Sequence, residues 1–209
     1  MPAFQAGDAG SIPATRTKRA MRKQLIIITG VGNHDRLFEF FAFVWQFFGY
    51  EAHVGAFGWG DRPELFERKL QKLTDDIDSL ADKPVYIIGS SAGGTAAIHA
   101  LAARPKAITK VAVICSPLKT MAGLQNPLLE KSIAKLPESF ARLDESARKK
   151  ILSVYAARDN TVAARLSKPA GVRTYRLLTP GHGFTIFAAL TIFSFPIRTF
   201  FRGRISPLV

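Results

Sequence analysis

Short apolar runs of strand length recur along the 209-residue chain, separated by stretches with helical spacing. The runs are 24–29, 51–57, 85–89, 110–115, 151–156 and 172–178. Val85-Tyr86-Ile87-Ile88, behind Pro84, shows the type: β-branched and aromatic, and continuous enough for a buried strand. Helices are expected at 36–48, 63–80, 92–103, 124–135, 138–149, 160–167 and 184–200. Strand and helix in alternation predict an α/β fold, a mostly parallel six-stranded sheet flanked by helices on both faces. There is no internal repeat and no low-complexity block.

Three stretches carry more apolar weight than a half-buried helix needs. Helix 36–48 holds Phe38, Phe40, Phe41, Phe43, Trp45, Phe47 and Phe48. A helix apolar all round is buried or touches something greasy. It is therefore a core helix against the sheet, or one whose free face lines an acyl pocket or touches membrane. The run from Phe184 to Phe201 has a single charge, Arg198. Its length is near the lower limit for a bilayer span, but Pro196 interrupts it. A core helix is expected there. The alternative is a peripheral anchor, with Phe200 and Phe201 beside Arg198, Arg202 and Arg204. Residues 116–150 form the longest interval between strands. Leu128, Leu129, Ile133 and Leu136 give it an apolar face, and Pro127 and Pro137 are expected to bend or divide it.

Composition narrows the class. With 47% hydrophobic residues, 21–209 suits one domain with a full core. Residues 1–20 have the composition of a disordered tail and lack the apolar segment of a signal peptide. Gly10-Ser11-Ile12-Pro13-Ala14 fits the codons of a transfer-RNA T-arm, which makes Met21 a candidate start and the tail a candidate untranslated segment. Cys115 is the one cysteine, at the end of the apolar run Val111–Ile114. It reads as a small buried core residue. No disulfide within the chain is possible, no Cys/His cluster suggests a metal, and nothing requires an oxidising compartment. The cytoplasm is the expected setting.

Net charge is +13 and the isoelectric point about 10.2. Such a balance suits nucleic acid, anionic membrane or acidic substrates. No nucleic-acid motif is present, and the basic residues are scattered, as in Arg62, Arg68, Lys69 and Lys72. They read as solvated faces, and no nucleic-acid partner is expected.

The candidate chemistry begins at Gly89-Ser90-Ser91-Ala92-Gly93. Strand, G-x-S-x-G and an Ala-rich helix follow one another in the order of a nucleophile elbow. A serine hydroxyl needs a base within reach, and the base needs an orienting acid. An elbow predicts the chain order Ser, acid, His. Asp159 follows the strand 151–156, and His182 follows the strand 172–178. All three sit just past carboxyl ends of strands, which share one edge in a parallel sheet. Asp159 also suits the N-cap of the next helix, a compatible role. The other histidines fit the base role poorly: His34 follows the first strand, His53 lies within a strand, and His99 is two turns into the elbow helix. Gly30-Val31-Gly32 does not continue as a dinucleotide fingerprint, because Asp35 stands where the third glycine belongs.

The chain thus resembles the α/β-hydrolase family over roughly residues 24–200, in a compact form lacking the first two strands of larger relatives. The resemblance implies Ser91 as nucleophile, Asp159 as acid and His182 as base. It implies an oxyanion hole from the backbone N–H of Ala92 and one from the loop after the first strand, Val31 first and Gly32 next. Thr29 stands where many relatives carry histidine. The implied activity is a serine hydrolase cleaving an ester, or a thioester or amide, through an acyl-enzyme without metal or cofactor. Its substrate would be a small molecule, with an apolar acyl group suggested by the aromatic content. The alternative is an idle hydrolase-fold binding protein, associated with membrane. Trp59 and Asn33 are the candidate substrate contacts, Trp59 alternatively packing at the surface. The 116–150 insertion either caps the site or covers the sheet's flank.

Overall fold

The computed structural model describes residues 22–32, 35–80, 82–121 and 123–203. The expectations for residues 1–20, Met21, Asn33 and Arg204 lie outside these described residues. Six strands, β1 (Lys23–Ile28), β2 (Tyr50–Gly55), β3 (Val85–Ser90), β4 (Ile108–Ile114), β5 (Ile151–Arg158) and β6 (Arg173–Pro180), form one sheet in the order β2-β1-β3-β4-β5-β6. Every neighbouring pair is parallel. The helices are α1 (Asp35–Gln46), α2 (Phe66–Ser79), α3 (Gly93–Ala103), α4 (Pro127–Arg142), α5 (Glu145–Arg148), α6 (His182–Leu190) and α7 (Phe195–Phe201).

Strand periodicity divides the core in two. Successive strand side chains point to opposite faces. Ile26 and Ile28 of β1 pack in a cluster with α2, α3 and α4, while Leu25 and Ile27 pack with α1, α6 and α7. The chain winds from β1 through α1 to β2, then returns across the other face through α2 to β3. The winding therefore reverses between β1 and β3. In open α/β sheets, ligands bind beyond the carboxyl ends of the strands at such a switch point.

Four expected helices differ from those observed. The stretches 124–135 and 138–149 are mostly one helix, α4, which runs through Pro137. A proline inside a helix forfeits a backbone hydrogen bond. Here contacts on both sides of it bind α4 to α3. Ser132 Oγ and Thr95 Oγ1 are 2.7 Å apart. His99 Nδ1 lies 2.7 Å from Ser139 Oγ, and its Nε2 lies 2.9 Å from the Ser132 carbonyl. The imidazole thus donates through Nε2 and accepts at Nδ1. His99 is a buried tie between helices.

The stretch 160–167 forms only a 3-10 turn at Ala164–Ser167. Asp159 Oδ1 accepts from the N–H groups of Thr161 and Val162, each at 2.8 Å, and turns the chain instead of starting an α-helix. The run 184–200 divides into α6 and α7, which meet at 52°. Pro196 sits in the first turn of α7, where its missing N–H is not needed. The Trp45 indole donates to the Leu190 carbonyl at 3.0 Å and so satisfies an acceptor at the end of α6.

α1 is amphipathic in an unusual way. Phe38, Phe41, Ala42 and Trp45 are buried, at the spacing of one helix face. Leu37, Phe40, Phe43 and, just past its end, Phe47 are exposed. Phe200 and Phe201 are both buried, which overturns an anchor built on them. Among the described residues, no single helix is long and apolar enough to cross a membrane.

Candidate active site

The carboxyl ends of β1, β3, β5 and β6 bring the candidate residues to one rim. Ser91 follows β3 with φ at 51°, a left-handed conformation that costs a non-glycine residue energy. The tight turn needs small neighbours. A Cβ on Gly93 would collide with the carbonyl of Ile28, and one on Gly30 would come within 2.8 Å of Ser91 Cβ. The loop after β1 therefore lies directly against the serine. Gly32, in that loop, has φ at 121°, which favours glycine.

Ser91 Oγ lies 2.9 Å from His182 Nε2. On the other side of the ring, His182 Nδ1 lies 2.9 Å from Asp159 Oδ2 and 3.1 Å from Oδ1. The carboxylate accepts from Nδ1–H, so Nε2 is left to accept the serine proton. His182 opens α6, behind Gly181 with φ at 75°. The Asp159 side chain is 2% exposed and that of His182 15%. Burial by itself would raise the Asp159 pKa. The N–H of Val162, the His182 ring and the N–H of Thr161 outweigh burial and hold it below the usual carboxylate value. Asp159 is thus both the local turn-former and the partner of His182.

No family model matches the chain. Solved structures do. Est1E from Butyrivibrio proteoclasticus superposes with a TM-score of 0.63 at 15% identity, covering 92% of each chain. A putative non-heme bromoperoxidase, BpoC, from Mycobacterium tuberculosis gives 0.63 at 12% identity, over 88% of this chain and 93% of that one. A monoacylglycerol lipase from Paleococcus ferrophilus gives 0.61 at 13% identity, over 87% and 95%. This chain has the α/β-hydrolase fold.

On this hydrolase fold, the residues around Ser91 form a crevice of about 300 Å³. One end holds Gly30, Val31, Gly32, Ser91 and His182. The walls are apolar: Leu37, Phe38 and Phe41 from α1, Ile186 and Phe187 from α6. Ala92, fully buried, follows the serine at the N-cap of α3. Among the described residues, neither its N–H nor that of Val31 or Gly32 has a hydrogen-bond partner.

Trp59 corrects its expectation. It neither lines this crevice nor lies at the surface. It is 3% exposed, and its indole N–H donates to the Thr29 carbonyl at 2.9 Å. It lines a separate cavity of about 320 Å³ on the other side of the 29–32 loop. Trp59 therefore holds that loop from behind. Residues 116–150 contribute nothing to the described crevice lining. Leu128, Leu129, Ile133 and Leu136 are instead buried in the core cluster with α3, so the segment covers the sheet's flank.

Sequence reasoning placed Cys115 in the core, where it is, but missed its neighbours. Its thiol and the nearest polar atoms of Asp159 and His182 all lie within 4.8 Å of one another. Burial, with the Asp159 charge, pushes its pKa up, so the neutral thiol is favoured. The available signal was positional: Cys115 directly follows β4, the strand beside β5, which Asp159 directly follows.

Proposed function

We propose that this chain is a serine hydrolase that cleaves an ester through an acyl-enzyme, with thioester or amide as lesser alternatives. The continuous hydrogen-bond path from Ser91 through His182 to Asp159, with both links at 2.9 Å, carries the reading. As Ser91 Oγ attacks the substrate carbonyl, its proton passes to His182 Nε2. Asp159, held ionised by its backbone donors, fixes the ring tautomer and supports the imidazolium. The N–H groups of Ala92 and Val31, or Gly32, hold the oxyanion, each such donor being worth roughly 3–4 kcal/mol in the transition state. His182 then protonates the leaving alcohol. Water, deprotonated by the same ring, attacks the acyl-enzyme and releases the acid. The relay needs only these side chains and water.

The aromatic walls of the crevice support an apolar acyl group on a small-molecule substrate. The monoacylglycerol lipase among the fold neighbours agrees with an ester. A cytoplasmic setting belongs to the proposal, since the sole cysteine is a free buried thiol.

A fluorophosphonate probe tests the reading. The wild type is expected to label, and Ser91→Ala and His182→Ala are not. Labelling that survives Ser91→Ala would move the nucleophile elsewhere, to Ser90 first. A wild type that folds yet never labels would favour the idle binding protein.

A further inference from the structure

Helices α1 and α6 lie side by side on one face of the sheet. The Phe41 and Phe187 rings meet at 5.8 Å, and Trp45 reaches the Leu190 carbonyl, so the two run in parallel. Both begin at the crevice, which Leu37 and His182 help to line. Their outward sides carry large apolar residues, with Arg36, Glu39 and Gln46 exposed beside them on α1. Phe40, Phe43 and Phe47 are 48%, 54% and 74% exposed along α1. Ile192, Phe193 and Phe195, at the bend after α6, are 71%, 47% and 69% exposed. A soluble surface rarely leaves so many large apolar groups together without a partner.

Charge selects the partner. From Asn160 to Val209 the sequence has seven basic side chains and no carboxylate side chain. Arg198 lays its guanidinium over the Phe48 ring at 3.9 Å, beside the exposed Phe47. Arg202 is exposed one turn further on. A second copy would bring another +13 against this one. An anionic bilayer matches both features, since aromatics enter the headgroup boundary while arginines meet acidic lipid.

We propose that the outer side of α1 and the α6–α7 bend docks on an anionic lipid surface, with the Ser91 crevice opening at one end of the docked face. Docking stands on the exposed surface alone. The further step, that an apolar ester passes from the lipid into the crevice, rests on the hydrolase reading.

Sedimentation of the full chain with vesicles tests this. Phosphatidylcholine vesicles containing phosphatidylglycerol should bind it at low salt, and pure phosphatidylcholine should bind it far less. The double variant Phe43→Ser/Phe47→Ser should lower binding about tenfold or more. The same is expected of Ile192→Ser/Phe193→Ser, and two separate pairs guard against one failing to fold. Both should keep wild-type rates on a water-soluble acetate ester. Ser91→Ala should bind vesicles like the wild type, so docking and hydrolysis fail independently. Absence of binding to the anionic vesicles at low salt would overturn the proposal. So would undiminished binding by both pairs, or a dimer in analytical ultracentrifugation that either pair abolishes.

Discussion

The two helical layers of this molecule treat apolar side chains in opposite ways. α3 is buried from Gly93 to Leu101, held between the sheet and α4. Its few polar groups are satisfied inside the protein, by the Thr95–Ser132 contact and the His99 bonds to Ser132 and Ser139. α1 buries one side and leaves Phe40 and Phe43 on the other. Ser91 stands between the layers. The closed layer supplies the elbow's rigid seat, through Ala92 and α3. The open layer supplies the apolar walls and, through α6, the histidine. Fixing a strained serine needs a layer without slack, whereas admitting a substrate needs one that does not seal.

Several changes would break or sharpen this contrast. The largest effect is expected at the junction: Ser91→Ala should lower kcat/KM for a nitrophenyl ester by about 10⁴-fold or more with the melting temperature preserved. Within α1 the two sides should differ sharply. Phe41→Ala, deep in the core, should cost about 3–5 kcal/mol. Phe43→Ala, two residues away but exposed, should stay within about 0.5 kcal/mol. Urea titrations of both would check this.

The closed layer should carry a pH signature. Burial first, then the nearby Lys135 and Arg142 charges, depress the His99 pKa to about 4, although the Ser132 carbonyl opposes them. The unfolded chain binds this proton near pH 6.5. Between these values the unfolded state holds more protons, so stability falls as pH drops. The neutral ring's contribution is present in full above about pH 6.5 and lost by about pH 4, roughly 3 kcal/mol in all. His99→Gln, which does not titrate, should flatten that slope in melting experiments run across the window. The smallest expected effect on activity is in the open layer, where Phe187→Ala should deepen the crevice. It should shift kcat/KM toward longer acyl esters by roughly tenfold.

The parts of the molecule legible in the sequence are those whose causes are local. Each strand announced itself by a short apolar run, and Ser91, Asp159 and His182 each followed one. Their convergence then needed only parallel strands with carboxyl ends on one edge. What stayed hidden depends on distant partners. α4 continues through Pro137 because Ser132 and Ser139, on either side of it, both meet His99 of α3. α6 stops where Trp45, far back in the chain, takes the Leu190 carbonyl. Trp59 turned inward because the Thr29 carbonyl accepts from it. Which phenylalanines of α1 face water depends on how the helix is rotated against α6, and an aromatic run gives no phase for that.

The acyl-enzyme itself is the most direct object to measure. After brief incubation with a nitrophenyl ester and an acid quench, peptide mapping by mass spectrometry should find the acyl group on Ser91, and lose it in His182→Ala. An acyl group on Ser90 or another residue, or turnover of the ester with Ser91 unmodified and replaceable by alanine, would contradict the relay.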